Sequence, residues 1–342
     1  MQNLIPVTVA FILSALFTRR FCNPTSRFHL LDHPNERSLH SRPTPRTGGV
    51  AIFVAVGVAV GLWSLETHLT SSLYGLGVGA GLVAVLSFLD DRKGLPVGVR
   101  LPGHLVAAAS LVIGGLYLPA FSVLGLVWHW PVWLGIVFSL LFLIWMINLY
   151  NFMDGMDGFA AGMGVIGFGA FAILGYLANN PVFMTLNLII VSAAAGFLLF
   201  NFPPARIFMG DTGSSLLGLL AGGMSIWGAR EAIFPFWIGA LVFSPFLVDA
   251  TATLLRRVWR RERVWLAHKT HYYQRLVQLG WGHRKTVLAE YTLMLTCAGC
   301  AVWAATSSTW IQSVILGFWV LAYPLLAVLV HALERRHTDA RR

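Results

Sequence analysis

Long apolar runs separated by short polar ones dominate the chain. The runs lie near 2–18, 48–65, 72–89, 103–121, 132–150, 159–176, 183–200, 212–228, 232–252, 287–306 and 309–330. Crossing a bilayer takes about 20 residues, so the pattern predicts about eleven membrane helices. The expected fold is all-α: a polytopic integral membrane protein forming one catalytic domain over 1–342, with 253–286 as its large cytoplasmic loop.

Charge fixes the expected sidedness. The first twenty residues, MQNLIPVTVAFILSALFTRR, are apolar first and basic afterwards. A signal peptide has the opposite order, so this reads as a first span with its N-terminus outside. Arg19, Arg20, Arg27, Arg37, Arg42, Arg46, Arg92, Lys93, Arg100, Arg206, the 256–285 cluster and the terminal arginines fall on one set of loops, and essentially only Arg230 on the other. Basic loops stay cytoplasmic, which predicts a periplasmic N-terminus and a cytoplasmic C-terminus.

Composition supports this reading. The 342 residues are 57% hydrophobic and 11% charged, whereas a soluble domain carries about 25% charged residues. The formal charge of +10 suits topology, anionic head groups and phosphorylated substrates, and implies no nucleic acid. Cys297 and Cys300 have C-x-x-C spacing, but no second pair completes a four-ligand site. They read as small thiols packed between spans, and Cys22 has no sequence partner.

The outer loops are short and the cytoplasmic ones carry the chemistry. Loop one, LLDHPNERSLHSRPTPRTGG, combines Asp32, Arg37, His40, Arg42 and Arg46 with three prolines. It reads either as a stiff connector or as a phosphate-binding loop. FLDDRKGLPVGVR places Asp90 beside Asp91; one could bind a metal while the other handles a proton, or both could end a solvated helix. In INLYNFMDGMDG, Asn148, Asn151, Asp154 and Asp157 recur every three residues, so a continuing helix would align them in one polar strip. In FPPARIFMGDTGSS, Asp211 opens a span, as an N-cap or beside a phosphate. In loop five, TLLRRVWRRERVWLAHKTHYYQRLVQLGWGHRKT, an interfacial arginine–tryptophan segment precedes His268, Lys269, His271, Gln274, Arg275 and His283. Carboxylates on several loops of one face suit Mg²⁺, which takes oxygen ligands and substrate phosphates. A transporter would want polar groups at mid-membrane; the nearest, Asp249, lies towards the cytoplasmic end of its run.

Together DHPNERSLHSRPTPRTGG, FLDD, NLYNFMDGMDG, FPPARIFMGDTGSS and AHKTHYYQRL, spread over 32–285, resemble the polyprenyl-phosphate N-acetylhexosamine-1-phosphate transferase family. The resemblance implies transfer of a sugar 1-phosphate from a UDP-N-acetylhexosamine to undecaprenyl phosphate, with release of UMP and use of Mg²⁺, or Mn²⁺ in its place. It implies catalytic roles for Asp90, Asp91, Asp154, Asp157, His268 and His271, and metal binding by Asp211, Asp91 and Asn151. In the family the first aspartate of the pair is commonly given the role of base, and a covalent aspartyl route is also proposed. Substrate-binding candidates are Arg37, His40, Arg46, Asn148, Asn151, Arg206, Lys269, Gln274 and Arg275. Expected partners are the two substrates, membrane lipids and a second copy of the chain; the expected location is the bacterial inner membrane, with the site facing the cytoplasm. AHKTHYYQRL lacks the consecutive histidines of the peptidoglycan enzymes, and Phe159 replaces the usual leucine after DGxDG. The first departure moves the chain towards enzymes initiating O-antigen or related glycans, whose donors include UDP-GlcNAc and 6-deoxy-HexNAc nucleotides.

Overall fold

The computed structural model describes residues 4–34, 39–68, 70–263 and 268–339. The long helices are α1 (Leu4–Phe21), α2 (Gly48–Ser64), α3 (Ser71–Lys93), α4 (Val97–Ile113), α5 (Val132–Phe152), α6 (Phe159–Leu177), α7 (Pro181–Asn201) and α8 (Gly210–Arg230). After them come α9 (Phe236–Val242), α10 (Ser244–Trp259), the short α11 (Tyr272–Leu276), a π-turn at Val277–Trp281, α12 (Gly282–Ala305) and α13 (Thr309–Asp339). Two antiparallel hairpins interrupt them: β1 (Leu31–Asp32) with β2 (Thr44–Pro45), and β3 (Ala120–Val123) with β4 (Leu126–His129).

Local chemistry sets several ends. Thr70 caps α3 by accepting from Leu73 N at 3.4 Å, and Gly94 closes it in the left-handed region at φ 66°. Asn180 caps α7 by accepting from Phe183 N at 3.0 Å, with Pro181 pre-set for the first turn.

The chain is a polytopic membrane protein of helical class. Among the described residues seven helices are long and apolar enough to cross a bilayer, or eight if α9 and α10 count as one bent span. α2 and α4 are apolar but have 17 residues each, about 26 Å of helix. α8 lies at the centre, buried from Thr212 through Gly228.

Three expectations change. The run at 232–252 is not one straight span: α9 and α10 meet at 82°. Ser244 at the break bonds the Leu241 carbonyl and the Tyr323 hydroxyl of α13, so side chains satisfy the interrupted backbone. The run at 103–121 is helical only to Ile113; Gly115 turns the chain at φ 96° and the rest enters β3. The strip at 148–157 is broken, because α5 ends at Phe152 and Gly158 reverses the backbone at φ 73° before α6. Asn148 and Asn151 are on a helix; Asp154 and Asp157 are on a loop.

α2 and α8 approach as closely as backbones allow. A Cβ on Gly49 would strike the backbone of Gly213, and one on Gly213 would strike Met209 and Gly49. Gly49→Ala is expected to lower stability by about 1–3 kcal/mol through overpacking. Gly57→Ala, with open space beside it, should not, as thermal denaturation of the two purified variants will show.

Candidate active site

Two carboxylates set the geometry by capping helices other than their own. Asp91, at the end of α3, accepts from Asp211 N at 2.9 Å, Thr212 N at 3.0 Å and Thr212 Oγ1 at 2.7 Å. It therefore satisfies the first N–H groups of α8, the cap that the sequence had offered to Asp211 itself. Asp249 does the same for α11: its Oδ1 accepts from Tyr272 N at 3.0 Å and faces His271 Nδ1 at 3.2 Å, while Oδ2 accepts from Tyr273 N at 3.3 Å.

Around these caps lies a polar cavity of about 190 Å³. It is lined by His40, Arg46, Asp91, Asn151, Asp154, Asp157, Asp211 and Gln274 from the expected set. Asp90 and Asn148 line a smaller adjoining recess, which shares Asn151 and Asp211 with the main cavity. Arg100 crosses this boundary, with Nη1 3.1 Å from Asp90 Oδ2 and 4.0 Å from Asp211 Oδ2. The adjacent carboxylates thus diverge. Asp90 is held by Arg100 and Leu95 N, Asp91 by the start of α8.

The DGMDG loop is fastened on every side. Asp157 Oδ2 accepts from Ala205 N at 3.0 Å, and its Oδ1 lies 3.0 Å from His283 Nδ1. Gly158 N donates to Asn201 Oδ1 at 3.0 Å, and the Tyr291 hydroxyl donates to Gly158 O at 2.6 Å. Asp154 is left facing the other carboxylates. Burial, then the charges of Asp211, Asp91 and Asp157, push its carboxyl well above the usual range.

Two further side chains at the cavity have spare donor capacity. His40 Nε2 and Arg46 Nε are buried without hydrogen-bond partners among the described residues, an arrangement that costs free energy unless an acceptor arrives. Arg46 also donates through Nη2 to the Asp91 carbonyl and faces Asp32 at 3.6 Å.

Other expected residues lie apart from these cavities. His271 is buried against Asp249. His268 bonds the Thr270 hydroxyl at 2.9 Å; burial, then the nearby His271 and Arg257, push it down to about 4, so it is a neutral imidazole at pH 7. Arg275 makes a two-bond ion pair with Glu334 of α13 and stacks on Tyr272 at 4.7 Å. Arg206 is exposed beside Cys22, and the Lys269 carbonyl accepts from Gln278. Arg37 lies outside the described residues.

Sequence reasoning missed Asp32, Asn201, Phe208 and His283 in the main cavity and Arg100 and His104 in the recess. Asp32, Arg100 and His283 were visible as polar residues on the basic side; Asn201 and Phe208 gave no signal beyond their place beside FPPAR and GDTGSS. Among the described residues no three His, Cys, Asp or Glu side chains form a ready-made metal cage.

The profile of glycosyl transferase family 4 matches residues 73–229. A probable undecaprenyl-phosphate N-acetylglucosaminyl 1-phosphate transferase of Bacillus subtilis is 29% identical, over 95% of this chain and 92% of its own length. A decaprenyl-phosphate N-acetylglucosaminephosphotransferase of Mycolicibacterium smegmatis is 35% identical, over 78% of this chain and 73% of its own. A phospho-N-acetylmuramoyl-pentapeptide-transferase of Granulibacter bethesdensis is 30% identical, over 79% and 82%.

Asp249 touches neither cavity, yet it orders α11, which supplies Gln274 to the cavity wall. Asp249→Ala is expected to cost about 1–2 kcal/mol of stability, as for a lost cap. It should also reduce turnover at least about tenfold by loosening that wall, with Asp249→Asn intermediate; thermal denaturation and steady-state rates check both.

Proposed function

The chain belongs to glycosyl transferase family 4, the polyprenyl-phosphate N-acetylhexosamine-1-phosphate transferases, and from that premise we propose that it moves a HexNAc-1-phosphate from a UDP-sugar to undecaprenyl phosphate, releasing UMP. The observation that carries this reading is the meeting of several carboxylates with the unpartnered nitrogens of His40 and Arg46 in one polar cavity. A phosphate ligand completes the hydrogen bonding of His40 and Arg46, and the guanidinium gives its oxygens a charge-assisted donor. An oxygen of the lipid phosphate attacks the β-phosphorus of the donor, and the bond from that phosphorus to the oxygen bridging to the α-phosphate breaks.

The carboxylates of the same cavity suit Mg²⁺. Asp211 and Asn151 adjoin at the cavity and offer oxygen ligands. Asp91 already accepts three hydrogen bonds, so it would contribute less. Mg²⁺ would be held there by one or two protein oxygens together with substrate phosphates. When bound, Mg²⁺ supplies charge neutralisation for the reacting phosphates. Asp90, held by Arg100 beside the recess, is placed to take a proton from the acceptor.

The excess of basic residues on one set of loops supports a site at the cytoplasmic face of a bacterial inner membrane, with about eleven crossings and the N-terminus outside. The Tyr272–Tyr273 departure points to O-antigen or related envelope glycans as the product line, with UDP-GlcNAc or a 6-deoxy-HexNAc nucleotide as donor. Membranes supplied with undecaprenyl phosphate and a panel of UDP-HexNAc donors should release UMP. EDTA should stop that release and Mg²⁺ or Mn²⁺ restore it, whereas sugar flux without UMP would indicate a transporter.

The lipid phosphate is already mostly ionised near pH 7, so base assistance adds little. Asp90→Asn is therefore expected to lower kcat less than Asp211→Asn does. Rates of the two purified variants at fixed Mg²⁺ test the order, and the reverse order refutes the assignment.

A further inference from the structure

The connection from Met153 to Gly158 is held unequally at its two ends. At the Asp157 end, Ala205 N and His283 reach the carboxylate, Asn201 accepts from Gly158 N, and the Tyr291 hydroxyl donates to Gly158 O. The Asp154 end has fewer ties. Met153 N and Asp154 N finish α5 by bonding Leu149 O at 3.0 Å and Asn151 O at 3.2 Å. Among the described residues, the hydrogen bond that reaches this end from elsewhere in the chain comes from Tyr273 of α11, whose hydroxyl donates to Phe152 O at 3.2 Å.

The same hydroxyl fills the space over Gly155. A Cβ on Gly155 would lie 2.3 Å from the Tyr273 oxygen and 3.4 Å from Cζ, so the backbone next to Asp154 rests on the phenol. Gly155 is not among the glycines with positive φ; its missing side chain serves close approach rather than a left-handed turn. Tyr273 is poorly placed to yield. It is fully buried, its ring packs on Phe159 at 4.7 Å, and its N–H is held by Asp249 Oδ2 at 3.3 Å. Phe152 and Gly155 flank Asp154, two residues before it and one after, so one fixed oxygen lies against the chain on both sides of that carboxylate.

We propose that Tyr273 is a positioning residue for Asp154: its hydroxyl holds Phe152 O and seats Gly155, and so fixes where the Asp154 carboxylate enters the cavity it shares with Asp91 and Asp211. The kinetic part of the proposal rests on the transferase reading. In that reading Asp154 faces the reacting phosphates, and misplacing a group by about 1 Å can cost about 100-fold in rate. Substrates held through other residues bind nearly as before, so the loss falls on kcat more than on KM.

Tyr273→Phe removes the oxygen alone. It is expected to lower kcat about tenfold, with the KM for UDP-HexNAc and for undecaprenyl phosphate within about threefold of wild type. Gly155→Ala presses a methyl against that oxygen and should lower kcat by a similar factor. The double variant decides whether the two act through one contact. Without the oxygen, the methyl meets Gln274 Nε2 at 3.2 Å, at the far end of its side chain, and Cζ at an ordinary 3.4 Å. Gly155→Ala/Tyr273→Phe should therefore stay within about threefold of Tyr273→Phe, whereas independent effects would multiply to about a hundredfold. Multiplied losses overturn the proposal, as does a wild-type kcat in Tyr273→Phe. Hydrogen–deuterium exchange of the ligand-free proteins tests the contact without any substrate. Peptides covering 152–157 should exchange faster in Tyr273→Phe than in wild type, with those covering 212–228 unchanged; equal exchange at 152–157, or faster exchange in both regions, overturns it. Failure of the wild type to release UMP from any donor overturns the transferase reading, and the exchange comparison then still decides the role of Tyr273.

Discussion

Helix starts in a membrane protein expose N–H groups that lipid cannot satisfy, and in this chain distant carboxylates meet that need twice. Asp91 closes the start of α8 and Asp249 the start of α11. The first cap joins helices 120 residues apart and the second joins consecutive ones, and each sets the backbone from which a cavity residue projects: Asp211 from α8, Gln274 from α11. The site is assembled by the same bonds that complete its helices.

This economy produces the electrostatic character of the cavity. Asp91 is compensated by hydrogen bonds, Asp90 by Arg100 and Asp157 by His283. Among the described residues Asp154 has no comparable partner, and its neighbours' charges raise the cost of ionising it. In the same cavity His40 and Arg46 retain donor capacity. Unspent acceptor and donor capacity therefore meet in one polar space.

Much of this was legible in the sequence, because hydropathy reports helices and the polar motifs between them report loops. The motif loops at 90, 151, 201 and 271 do converge near one another, and eight expected residues line one cavity. What escaped depended on backbone breaks and long-range pairs. The strip at 148–157 failed because α5 stops at Phe152, and an i,i+3 pattern does not reveal where a helix ends. The bend before Ser244 is stabilised by Tyr323, 79 residues away, which no local window contains. His283 looked like one histidine among several until Asp157, 126 residues earlier, gave it a partner. His268 and His271 looked like phosphate donors, but the fold turns them towards Asp249 and Thr270.

The Arg275–Glu334 pair has a consequence in time as well as in space. Glu334 is translated 59 residues after Arg275, so this second anchor of the helical segment next to the cavity, beside the Asp249 cap, forms only once α13 has joined the bundle. Ribosomes that abort late would leave chains with every motif loop present and that anchor missing. For such products the membrane's proteases, rather than the substrates, would be the first to read the difference.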